Sequence, residues 1–148
     1  MAISLGTSSP RSWLPWLPAA CMLAGATQVG AHHAFAAEFD ADQPIELKGT
    51  VTKVKWVNPH SWLFFDVTGP QGAVSNWGVE FGAPNQLAKI GLKKTDVAIG
   101  SAVHIKGYRS KNGGPYGYCV IVTLADGRVF QTGGAQDAPA ATTAALIR

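Results

Sequence analysis

Ser61-Trp62-Leu63-Phe64-Phe65-Asp66-Val67-Thr68, then Gly69-Pro70-Gln71-Gly72, then Val74–Phe81: this stretch decides the fold. The first segment alternates Leu63, Phe65 and Val67 on one side with Trp62 and Phe64 on the other. A strand apolar on both faces is central, or bends between two packed layers. Gly69–Gly72 carries turn residues at each position that needs one. The following segment points Trp77, Val79 and Phe81 inward, so the two strands form a hairpin. Upstream, Leu47–Val57 is rich in Thr and Val with Lys interspersed and reads as a preceding strand. Asn58-Pro59-His60 interrupts it, because proline lacks an amide donor and fixes its own φ.

Downstream, Gly82-Ala83-Pro84 breaks the alternation, and Pro84–Ile90 reads as a short helix with proline in its first turn and Gly91 closing it. Ser101–Tyr108 is a fourth strand, in which Val103 and Ile105 alternate with an outward His104 and Lys106. Ser110–Gly114 is a glycine-rich loop and Tyr116–Leu124 a fifth strand. Asp126-Gly127 turns tightly into Arg128–Gln131. Five to six strands with one short helix between the third and fourth is the order of an all-β, OB-like barrel, with a small sandwich as the competing architecture. The domain is expected over 32–133 with 32–45 as a lead-in. The Ala, Thr, Gly and Pro content from Thr132 onward predicts a disordered tail, assigned to 134–148.

The N-terminus reads differently. Arg11 is the only charged residue before an apolar run from Trp13 to Ala26 that is too short to span a bilayer and is broken by Pro15 and Pro18. A basic residue, a short apolar core and Val29-Gly30-Ala31 compose a cleaved secretory signal over 1–31. Cuts after Ala26 or Ala36 compete, and a lipid-modified Cys21 is disfavoured by the short apolar segment before it. Export to a periplasm, with no membrane span after cleavage, is the expectation. Cleavage removes Arg11 and leaves eleven basic against nine acidic residues, a near-neutral balance that does not suggest nucleic acid as a partner. It also removes Cys21, so Cys119 has no partner for a disulfide and reads as a small core residue.

Cleavage at Ala31 would place His32 first and His33 second. A terminal histidine offers an amine and an imidazole nitrogen to one metal ion, and His60, held beside Pro59, is the candidate for a third arm. Nitrogen ligands of this kind suit copper(II). Set against this, His60 reads equally as a structural turn residue and His104 as a surface one. Aromatic residues form a second constellation. In an OB-like barrel, ligands bind over a sheet face and at the first and fourth interstrand loops. Those positions hold His60, Trp56 and Trp62 on one side and Lys111 and Tyr116 on the other, a set suited to a sugar, aromatic or anionic ligand. Phe64 and Trp77 join the cluster around the first three strands and Tyr108 and Tyr118 the one near the last two, while the tryptophans of a small barrel also read as core. Catalytic signals are weak. Asp66 and Glu80 lie in strands where Lys53 or Lys55 could pair with them, and Cys119 has no base in view, so no enzymatic activity is expected.

His32-His33-Ala34-Phe35-Ala36-Ala37-Glu38-Phe39-Asp40, Leu47-Lys48-Gly49-Thr50-Val51, Trp56-Val57-Asn58-Pro59-His60, Gly82-Ala83-Pro84-Asn85, Gly107-Tyr108-Arg109 and Val122–Arg128 resemble an exported bacterial family of unknown function, DUF6152. The resemblance covers about 32–133. It implies export from a Gram-negative cell and a small β-barrel, and it supplies no activity. The expectation is an exported, non-enzymatic binding domain of unknown ligand. Its alternatives are a periplasmic copper-binding protein using His32, His33 and His60, and an accessory subunit docking on an envelope protein.

Overall fold

The structure is a computed structural model describing residues 35–133, 135, 138 and 139. The expected signal segment, Cys21, His32 and His33 lie outside the described residues. A short helix α1 (Phe35–Glu38) leads into β1 (Phe39–Lys55), followed by β2 (Ser61–Thr68) and β3 (Val74–Phe81). Helix α2 (Pro84–Lys89) and a 3₁₀ turn (Lys94–Val97) precede β4 (Ala102–Ser110), β5 (Tyr116–Leu124) and β6 (Val129–Gln131). No helix of the described residues is long and apolar enough to cross a membrane.

The strands close on themselves in the order β1-β2-β3-β5-β4 and back to β1, giving the all-β, barrel-like ring of hydrogen bonds that was expected. All neighbours are antiparallel except β3 and β5, which run parallel through Gly78↔Tyr116, Val79↔Gly117 and Glu80↔Tyr118. β1 serves two partners. Its C-terminal part, Thr50–Lys55, pairs with β2, and Phe39–Thr50 pairs with β4. Register shifts at Asp40/Pro44 and Val51/Lys53 give it the bends that closure demands. Pro44 sits beside one of these shifts, where a missing amide donor is tolerated.

Alternation fills the barrel. Val51, Leu63, Phe65, Val79, Val103, Ile105, Cys119 and Val122 point inward and are buried. Leu87 of α2, together with Leu92 and Val97, packs into the same core. Burial drives the Cys119 thiol up to about 12, which leaves it a neutral core atom. A second cluster forms outside the barrel, where Phe35 and Phe39 stack with Tyr108 and Tyr118 beside Val120.

That outer cluster corrects the expected chain ends. Residues 39–45 are strand, because Phe35 and Phe39 bury apolar surface on Tyr118 while β1 extends along β4. The acidic run and Pro44 hid this in the sequence. Thr132 is buried; its amide donates to the Val120 carbonyl at 2.9 Å and its own carbonyl accepts from Gly82 at 3.0 Å. Beyond it, the Ala135 amide donates to the Tyr118 hydroxyl at 2.7 Å, and Ala135 and Ala138 pack on the outer cluster. The start of the expected tail is therefore docked. It leaves a half-open crevice of ≈ 160 Å³ lined by Tyr118, Val120, Gln131, Gly133, Ala135 and Ala138.

Gly107 marks the tightest point of closure. It pairs with Cys119 at a register shift, and a Cβ there would run into the Tyr118 carbonyl. Gly107→Ala is expected to cost at least about 2 kcal/mol, since backbone rather than a flexible side chain must move. Urea unfolding followed by circular dichroism checks this; a midpoint within error of wild type would contradict it.

Candidate functional site

The turn after β1 holds a cis Asn58–Pro59 bond and delivers His60 to the rim of the barrel. There the His60 Nδ1 meets the Glu80 Oε1 in a short contact. An ionised carboxylate only accepts, so Nδ1 carries the proton and Nε2 is the nitrogen left for a ligand. The two side chains are unequally placed: Glu80 is 8% exposed and His60 27%. A buried carboxylate holding a half-exposed imidazole by one nitrogen fixes the ring's tautomer and direction, as the outer partner of a metal-binding or proton-moving histidine does.

Cross-strand register then attaches an aromatic surface to this pair. Trp62 lies directly opposite Glu80, and Phe64 opposite Gly78, so all four positions share the outer face. Trp62 and Phe64 stack at 6.3 Å between centroids with planes 24° apart. Tyr116 arrives from β5 through the parallel pairing and meets Trp62 edge-on at 6.4 Å. It remains 42% exposed. Gly78 makes this possible: a Cβ there would stand 2.9 Å from Phe64 and 3.0 Å from Tyr116, closer than real contacts allow. β1 completes the face with Lys53 opposite Phe64 and Lys55 opposite Trp62. Their ammonium nitrogens lie 5.8 and 5.6 Å from the Phe64 ring centre.

Of the residues singled out in the sequence, the structure gathers His60, Trp62 and Tyr116 onto one surface. Trp56 instead packs against the barrel core. Lys111 is exposed, but its Nζ donates to the Ala36 carbonyl at 2.6 Å and its amide to Glu38, tying the fourth loop to α1. Asp66 and Glu80 do not pair with lysine as expected. Asp66 accepts from Asn76 at 2.8 Å, and Glu80 is taken by His60. His104 keeps its place on the outer face of β4 and meets Glu46 at 2.7 Å; this hydrogen bond, foremost, holds the Glu46 carboxyl below its usual range. Among the described residues no cluster of three or more His, Cys, Asp or Glu could hold a metal ion. Phe64 belonged to the aromatic constellation of the sequence; Gly78 and the Glu80 role were not foreseen, and the hairpin register set by Gly69–Gly72 was the available signal for both.

Removing the imidazole would leave the Glu80 carboxylate buried without its histidine. His60→Ala is expected to destabilise the domain by about 1–3 kcal/mol at neutral pH, and the same change in a Glu80→Gln background to cost less. A double-mutant cycle by thermal or urea unfolding measures the coupling. Additive effects would mean that the two side chains do not support one another.

No curated protein and no solved structure matches this chain. Residues 20–119 match the model of a family of unknown function, DUF6152. The match covers more than half of the chain, and the shared segments include the His60 turn, the β2–β3 hairpin and the start of β5; the protein belongs to the DUF6152 family.

Proposed function

We propose that this protein is an exported, non-enzymatic binding domain that seats a small ligand on the outer face of β2, β3 and β5, between His60 and Tyr116. The observation that carries this reading is the joining of an oriented imidazole to an open aromatic row. Aromatic faces supply apolar contact area at low entropic cost, and one polar group fixes orientation. The face and the adjoining first interstrand loop are also where barrels of this topology take ligands.

A ligand at this face is expected to change the emission of Trp62. A small-molecule library screened by tryptophan fluorescence on metal-free protein should yield a response that is lost in Trp62→Ala and reduced in Tyr116→Ala. Responses indifferent to both substitutions would place the site elsewhere. A stable complex recovered from the envelope in place of any response would assign the accessory role instead.

A second reading, copper binding, gains support from the outer cluster. Phe35 meets Tyr118 edge-on at 5.2 Å, and Tyr118 is the register partner of Glu80, which holds His60. His32 precedes Phe35 by three residues, a reach of about 10 Å at most. Protein purified from the periplasm should begin at His32 and take up about one copper(II). One added residue before His32 should abolish that uptake, and unchanged affinity would contradict the reading.

A further inference from the structure

The two lysines of the outer face stand apart from its two carboxylates. Lys53 and Lys55 are both exposed, and both ammonium groups lie around one ring, that of Phe64. Among the described residues neither is ion-paired with a carboxylate. The two carboxylates that share the face are already engaged. Asp66 accepts from Asn76, which also donates to Thr52 at 2.9 Å, and Glu80 is buried against His60. Two ammonium groups therefore lie around one aromatic ring, with no ion pair to a carboxylate among the described residues.

We infer that the ligand of this face is a small planar aromatic anion, whose ring lies along Trp62 and Tyr116 and whose negative group meets Lys53 and Lys55. The inference rests on the binding reading above and names its ligand class. The near-parallel Trp62 and Phe64 rings and the edge-on Tyr116 form a floor and a wall that suit a flat ring. A neutral sugar would use the aromatic surface and leave both ammonium groups uncompensated. A cation would be repelled by them.

The test compares 2-naphthoate with its neutral isostere 2-naphthamide on the intact domain, by calorimetry and by the NMR shift of the Trp62 indole. The anion is expected to bind about tenfold more tightly, the scale of two exposed ion pairs at up to ~1 kcal/mol each. Added salt should erode that preference. Lys53→Gln/Lys55→Gln should abolish it, bringing naphthoate binding down to the level of naphthamide. Equal binding of both probes, each weakened by Tyr116→Ala, would overturn the anion inference and leave the binding face standing. A preference that needs the lysines but moves neither the Trp62 signal nor responds to Tyr116→Ala would overturn both. Failure of either probe to bind would overturn the inference.

Discussion

Three residue pairs between β3 and β5 turn an open meander into a barrel, and everything at the outer face depends on them. Gly78↔Tyr116, Val79↔Gly117 and Glu80↔Tyr118 are the parallel part of an otherwise antiparallel ring. Without them β3 would be an exposed edge. The middle pair closes the core, since Val79 is fully buried. The outer pairs do something else: one sets Tyr116 over a glycine beside Phe64, and the other sets Glu80 against the Tyr118 that anchors both chain ends.

Closure therefore joins two features that the chain keeps apart. His60 and Glu80 come from opposite ends of the β2–β3 hairpin, and the hairpin alone brings them together. Tyr116 comes from the start of β5, far downstream, and reaches Trp62 through the β3–β5 ladder. The outer cluster under α1 and the docked Ala135 and Ala138 cover the outer face of β5 at Tyr118 and Val120, next to Tyr116. Removing a partner from a buried polar pair costs more than the pair contributes when intact. The His60–Glu80 contact thus links local stability to the geometry of the face.

The strand order was legible because alternation and turn chemistry are local. β2 and β5 fall where their periodicity places them, and the α2 segment follows from its proline and closing glycine. What was illegible is non-local. The early start of β1 depends on Phe35 and Phe39 finding Tyr108 and Tyr118 about seventy or more residues away, and no window of sequence carries that. The docking of Thr132 and Ala135 is of the same kind, in a stretch whose composition argues for disorder. Within the site, His60, Trp62 and Tyr116 stood out by residue type. Glu80 did not, because its meaning lies in register: a carboxylate in a strand acquires a histidine partner only once the hairpin is closed. Lys111 misled for the converse reason. A lysine in a loop looks available for a ligand until α1 supplies a carbonyl for it.

The account stands on Glu80 holding the His60 ring in one tautomer beside Trp62. Nitrogen-15 NMR of the imidazole, taken at a pH where the ring is neutral, reads this directly. The structure predicts a protonated, exchange-protected Nδ1 and a bare Nε2, with the protection lost in Glu80→Gln. A proton on Nε2, or a ring exchanging freely between tautomers, would contradict it.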